Sequence, residues 1–339
     1  MTLSIIVPVY NMASDDKLSF CMDSLVNQTL EDMEIIAVND CSTDDSLAIL
    51  KDYEIRFPDR VRVYSTPENL HQGGAKNLGM EKASGEWIGF MDADDWMVPD
   101  GYKRMLKLAM DTGADMVGCD YCMVGEHTFV PTEGAHNNHP DQTGVLDDGK
   151  YRSLILDAGS LVVKLYRREI VIDCPSRFPE KIFYEDNALA NTWMLRARHF
   201  EYVDEPLYFY YQHDSSTVHI INPDRLKDRM EAGRIMIDEA GKHGYLDRYH
   251  DELEYSFARL FYLNTLMSYM IGVRPRRAGW VRRLGDEMRE TFPDFESNKY
   301  FVEKVHPEER KWTRMQQKST VGFMCAYILK SIYRGMRKR

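Results

Sequence analysis

Asp92, Asp94 and Asp95 stand directly after the apolar run Trp87-Ile88-Gly89-Phe90-Met91. A run of that kind reads as a buried strand, so the carboxylates gather at a strand end. Asp92-Ala93-Asp94 offers two hard oxygen ligands one residue apart. Such a pair suits Mg²⁺ or Mn²⁺, ions that bridge to substrate phosphates. The competing reading is a solvated acidic turn ahead of a helix at Pro99, and Asp-x-Asp alone does not decide between them. Upstream, Gly73-Gly74-Ala75-Lys76-Asn77-Leu78-Gly79 opens a helical stretch ending near Gly85. Glycines at a helix N-terminus let a ligand approach the backbone closely, and the exposed N–H groups favour an anion. A phosphate-bearing ligand between glycines and acids accounts for both features.

The elements that would position these groups read as an α/β pattern. Leu3 to Val9 is a short β-branched run, in which Pro8 is expected to end regular pairing. Residues 17–29 carry a helical apolar face, Met33 to Val38 reads as the next buried strand, and 44–57 as a helix with Asp44 a candidate cap. Strand, helix, strand implies a right-handed parallel unit, and ligands bind outside the carboxyl ends of such strands. Tyr10-Asn11 and Asn39-Asp40 both fall there. Val61 to Ser65 is a third strand, Pro99 to Met110 a helix and Asp115 to Val124 a strand. The stretch 125–149 has no period, and its His127, His136 and His139 read as solvated residues rather than a metal cluster. Tyr202 to Gln212 reads as two strands.

Three ordered blocks carry a resemblance: Ser4-Ile5-Ile6-Val7-Pro8-Val9-Tyr10-Asn11, Val38-Asn39-Asp40-Cys41-Ser42-Thr43-Asp44-Asp45-Ser46, and Glu68 to Trp96. Together they resemble the inverting family-2 glycosyltransferases, enzymes of the GT-A fold that use nucleotide sugars. The resemblance covers about the first third of the chain. It implies that Asp40 accepts the N3–H of uracil, that Pro8, Tyr10, Gly74, Ala75 and Asn77 lie near the nucleotide, and that Asp92, Ala93 and Asp94 face ribose, metal and diphosphate, with Asp95 in support. Lys76 stands where the family commonly has Arg, which leaves a diphosphate contact, packing or a plain surface position open. Cys41 and Asp45 stand where glycines are frequent, and the loop Asn11 to Asp16 is longer than usual.

Farther along, Gly159 to Arg168 resembles an acceptor-side segment with Lys164 as its candidate residue. Glu185-Asp186 begins a helical pattern, where two acids are also explained by the helix dipole. The resemblance makes Asp186 the general base and Glu185 its neighbour, and adjacent carboxylates raise one another's pKa. His213 is the candidate basic residue near the diphosphate or metal, because Gln212 replaces the frequent Arg.

From Pro223 the pattern turns helical: Pro223 to Lys242, then Leu246 to Ile271 with Phe257, Leu260, Phe261, Leu263, Asn264 and Met267 as a buried stripe. The expected organisation is a GT-A domain over 1–222, with a nucleotide-sugar half (1–110) and an acceptor half (111–222), followed by a helical region over 223–339. Residues 1–222 hold 19 Lys/Arg against 37 Asp/Glu, whereas 223–339 hold 24 against 17. No acid follows Glu309, and the apolar positions after Val321 repeat at helical spacing. A basic amphipathic helix of this kind fits an anionic membrane surface or an ordinary packed helix with a basic tail. The acidic bulk of the chain argues against nucleic acid. Six scattered cysteines without framework spacing and the absence of a signal pattern give the expectation of a cytoplasmic protein, peripheral on the membrane's cytoplasmic face if the helix docks.

The leading expectation is an inverting transfer, dependent on Mn²⁺ or Mg²⁺, of a sugar from a nucleotide-diphosphate donor, UDP-linked by resemblance, to a glycan or lipid-linked saccharide. Nucleotidyl transfer, nucleotide-sugar hydrolysis and a catalytically silent nucleotide-binding protein are the alternatives.

Overall fold

The computed structural model describes residues 1–132, 134–212 and 221–337. The chain forms two compact units, Met1–Ser216 and Thr217–Arg339.

The first unit is built on one sheet. β1 (Leu3–Val9) and β2 (Met33–Asn39) are buried at every residue. With β3 (Val61–Ser65) and β4 (Trp87–Phe90) they run in the order β3-β2-β1-β4, all parallel. Coverage on both faces is why β1 and β2 are continuous apolar runs rather than alternating ones. Leu3, Ile5, Val7 and Val9 pack with Leu18, Met22 and Leu25 of α1 (Lys17–Val26). Ile6 points the other way, toward Ala75 and Met80 of α3 (His71–Lys82) and Leu189 and Trp193 of α7 (Glu185–Met194). α2 (Ser46–Arg56) links β2 to β3.

The sheet continues with β9 (Lys164–Arg167), antiparallel to both β4 and β6 (Met116–Val124). β10 (His199–Tyr211) runs parallel to β6, and β5 (Trp96–Met97) closes the edge against it. Short strands β7 (Gly134–Ala135) and β8 (Gly144–Val145) attach to β6 and β10. Helices α4 (Gly101–Thr112), α5 (Asp148–Leu156) and α6 (Arg168–Val171) complete the unit. This is the GT-A class of α/β fold.

Three expectations are corrected here. Pro8 stays in register opposite Val38. Ile6 gives its carbonyl to Met91 on the β4 side and Val9 gives its own to Asp40 on the β2 side, so Pro8 faces β4, whose ladder ends at Ile6–Phe90. The missing N–H therefore costs no ladder bond. Tyr202 to Gln212 is not two strands: β10 is one strand whose register shifts around Val203–Pro206 and Pro206–Tyr208, so bulges absorb the proline.

The third correction lies in the second unit. α8 (Pro223–Lys242) starts where Asn222 accepts the Arg225 N–H and Pro223 needs no donor. Beyond the left-handed Gly244 come α9 (Tyr245–Arg248), α10 (His250–Phe257) and α11 (Asn264–Gly272), with a π-turn at Ala258–Leu263. The single helix expected over Leu246 to Ile271 is thus broken, and the wider turn leaves Leu260 half-buried and Asn264 exposed. α12 (Ala278–Thr291), α13 (Lys299–Lys304), α14 (Pro307–Lys318) and α15 (Thr320–Arg337) follow.

Candidate active site

Tyr10, Asp40 and Asp92 leave the carboxyl ends of three adjacent parallel strands, β1, β2 and β4. The loops there are stitched together by short polar side chains. Asn11 takes the Thr43 N–H at 2.7 Å, Ser42 takes that of Asn11 at 3.0 Å, and Ser46 takes that of Met12 at 2.8 Å. Asp44 binds the N–H groups of Ala13 and Ser46, a structural role at the start of α2 rather than a ligand contact. Cys41 adopts φ 55°, the left-handed conformation that explains the frequent glycine, whereas Asp45 is ordinary at φ −75°. Tyr10 is 45% exposed, so its ring is available at the strand end; Pro8 is buried and Ala93 packs into the core.

Asp40 is nearly sealed. Its Oδ1 accepts the Thr66 hydroxyl and the Leu70 N–H, each at 2.8 Å, while its Oδ2 is buried with no partner. A buried acceptor left unsatisfied costs about 1–3 kcal/mol, so this oxygen suits a ligand donor. Thr66 was legible as a strand-end residue, one step beyond β3, but sequence reasoning passed over it. It also passed over His71, which holds φ 59° at the start of α3, has a buried, unpartnered Nδ1 and lies 4.9 Å from the Phe183 ring. Lys181, also at positive φ, donates its N–H to Leu70 and pairs with Glu68.

The glycines at the start of α3 serve packing rather than ligand approach. A Cβ on Gly73 would lie 2.0 Å from the Pro179 carbonyl oxygen, and one on Gly74 would lie 2.2 Å from Leu70 Cβ. Ala75 is fully buried, and Asn77 exchanges two hydrogen bonds with the Phe178 backbone, at 2.9 and 3.0 Å. Both side chains are therefore committed to the fold. Lys76 is no surface residue: it is buried and its Nζ lies 2.7 Å from Glu185 Oε1. Burial works against its ammonium, but Glu185, Asp92 and Asp186 outweigh that and raise its pKa. Glu185 accordingly turns onto Lys76 and forms a buried ion pair with it. Lys76→Met strands the buried Glu185, and the expected loss of stability is about 3–5 kcal/mol. Denaturant titration checks this, with Lys76→Met/Glu185→Leu expected to recover most of the loss.

Asp92 and Asp94 converge on the same place. Burial pushes the Asp92 carboxyl up to about 7; Lys76 opposes the shift, and Asp94, Glu185 and Asp186 add to it. Its Oδ1 is buried without a partner. A carboxyl whose charged form is disfavoured by burial, with an orphaned oxygen, fits a divalent cation that would use Asp92 and Asp94 and complete its shell from a diphosphate and water. Asp95 is different: it takes the Tyr208 hydroxyl at 2.6 Å and the Tyr211 N–H at 2.9 Å, and ties the acidic turn to β10. Because the Asp92 pKa is raised, its stabilising contribution is complete below about pH 4 and is lost as pH rises through about 7. Without metal, thermal stability should therefore fall over that window. Adding Mn²⁺ should restore it at pH 8 and do little at pH 5.

On the side expected to meet an acceptor, Asp186 lies in the first turn of α7 and accepts from the N–H and side-chain amide of Asn187. Lys164 is buried on β9 and donates to the carbonyls of Ala158 and Ser160 at 2.9 and 3.0 Å, so it clamps a loop and does not line an open surface. Burial brings its pKa down to about 7. His127 is not solvated: it stacks on Phe20 at 4.6 Å beside Trp96. His136 pairs with Asp120 and Asp204, whose donor atoms lie close enough to share an ion with it, and His139 pairs with Asp157; the three histidines themselves do not come together. His213 lies outside the described residues.

An open, largely parallel sheet with acids and an unpartnered carboxylate oxygen beyond its strand ends has the place where α/β enzymes bind their ligands. Residues 4–171 match the model of glycosyl transferase family 2, and through this segment the chain belongs to that family. It is 32% identical over 228 residues to the uncharacterized glycosyltransferase YibD of Escherichia coli, covering 63% of this chain and 62% of that one. It is 34% identical over 229 residues to the uncharacterized glycosyltransferase EpsJ of Bacillus subtilis, covering 64% and 63%. The matches thus span less than two thirds of these relatives' lengths. The crystal structure of S. aureus TarS 1–349 in complex with UDP-GlcNAc shares the fold, with TM-score 0.71 at 21% identity over 99% of this chain and 92% of that one.

Proposed function

We propose that this chain transfers a sugar from a UDP-linked donor to a hydroxyl of a glycan or lipid-linked saccharide in polysaccharide assembly, with inversion at the anomeric carbon. The observation that carries the reading is the electrostatic cluster of Asp92, Asp94, Lys76, Glu185 and Asp186 beside the strand ends where Asp40 keeps an unpartnered oxygen. Asp40 Oδ2 would accept the uracil N3–H, and Tyr10 would flank the base. Asp92 and Asp94 would hold Mn²⁺ or Mg²⁺, which supplies positive charge against that building on the leaving diphosphate. Asp186 takes the proton of the acceptor hydroxyl as its oxygen attacks the anomeric carbon from the face opposite the departing UDP. One displacement breaks the glycosyl–phosphate bond, forms the new glycosidic bond and inverts the centre. The TarS complex supports UDP-GlcNAc as one of the donors to try first. Free thiols at the described cysteines suit a reducing, cytoplasmic setting.

Product analysis tests the reading. The chain is incubated with UDP-sugars, Mn²⁺ and a panel of saccharide acceptors, and both halves of the donor are followed. UDP with a β-glycoside from an α-linked donor is expected. UMP and a sugar phosphate, pyrophosphate, or free sugar alone would replace transfer with one of the other phosphate chemistries.

A further inference from the structure

The second unit carries a surface the sugar-transfer reading does not use. α15 packs through Phe323 and Tyr327 against Trp312 of α14, and Lys330 pairs with Glu308 on that same side. The opposite face has no partner among the described residues. Val321 is 55%, Leu329 68% and Ile332 55% exposed, and Cys325 is exposed between them. Positions 321, 325, 329 and 332 advance by one helical turn each and form a continuous apolar stripe facing solvent. Soluble surfaces rarely leave such a stripe bare.

The charge around the stripe is one-sided. Residues 310–339 contain nine Lys/Arg and no Asp or Glu. Arg274, Arg277, Arg282 and Arg283 are exposed and have no carboxylate partner among the described residues, and they lie on or just before α12, which packs against α15. A second copy of this face would bring like charge against like charge, whereas an anionic surface meets both the apolar stripe and the cations. α15 is not apolar enough to cross a bilayer, and no described helix is.

We propose that α15 lies in the interface of an anionic lipid membrane, with Val321, Cys325, Leu329 and Ile332 inserted and the neighbouring arginines on the headgroups. The proposal stands whether or not the catalytic reading holds.

Flotation of the full chain with vesicles tests it, using phosphatidylcholine alone or with about 30% phosphatidylglycerol, together with the alkylation rate of Cys325. Binding only to the phosphatidylglycerol vesicles, weakening with salt, and a Cys325 thiol protected at least about tenfold on binding are expected. Leu329→Glu/Ile332→Glu should abolish flotation, and Arg277→Glu/Arg282→Glu should weaken it about tenfold or more, since each cation near such a surface contributes about a fivefold factor. Both variants change exposed residues, and unaltered thermal unfolding confirms that they fold. Failure to float with phosphatidylglycerol would overturn the proposal. So would a thiol already protected in vesicle-free protein that sediments as an oligomer, since a second copy would then cover the stripe.

Discussion

Asp186→Asn is expected to lower kcat by about 10²- to 10⁴-fold while UDP still binds with unchanged affinity, because the change removes a proton acceptor and little else. The side chain keeps its shape, its amide oxygen can still accept from the Asn187 N–H and amide, and the Lys76–Glu185 ion pair is left in place. The competing account of an acid at a helix start makes a different forecast. Loss of a dipole contact would cost about 0.3–1 kcal/mol of stability and leave turnover alone. Single-turnover rates with unfolding midpoints on the same variant separate the two. Glu185→Gln should behave oppositely, with its main effect on stability, since its partner is the buried Lys76 and not the acceptor.

Asp94→Ala should be as damaging by another route. Stabilising a departing diphosphate is worth several kcal/mol, so transfer should fall by about 10²- to 10⁴-fold. The anchor of the turn should be kept, since Asp95 takes the Tyr208 hydroxyl and the Tyr211 N–H. The corresponding Asp95→Ala exchange should destabilise the unit, leaving the buried Tyr208 hydroxyl without its acceptor. Initial rates over a range of Mn²⁺ concentrations check the first; denaturant titration checks the second.

The strand ends were legible because their cause is local. Runs such as Leu3–Val9, Met33–Val38 and Trp87–Met91 are apolar on both faces, and that alone marks buried parallel strands whose next residues face a ligand edge. What the sequence hid was mostly long-range. Lys76 and Glu185 meet across 109 residues, so a lysine that resembled a surface or phosphate contact is half of a buried ion pair. Asn77 and the Phe178 backbone meet across 101 residues, which took Asn77 into the fold. His127 lost its solvated reading to the Phe20 ring, also far from it in sequence. Other misses came from geometry with no simple pattern: bulges carry β10 past Pro206, and the π-turn at Ala258–Leu263 rotates Leu260 and Asn264 off the buried stripe. The glycines of α3 show that a correct helix start can have an unexpected reason, here the Pro179 carbonyl and Leu70.

The central claim is that one metal-assisted uridine diphosphate site lies at the carboxyl ends of β1, β2 and β4. Calorimetric titration of UDP into the wild-type chain, with and without Mn²⁺, and into Asp40→Ala, tests it most directly. Binding that requires Mn²⁺, and that Asp40→Ala weakens by at least about tenfold through the lost uracil contact, is the predicted result. UDP binding that is absent with Mn²⁺, or that ignores both the metal and Asp40, would contradict it.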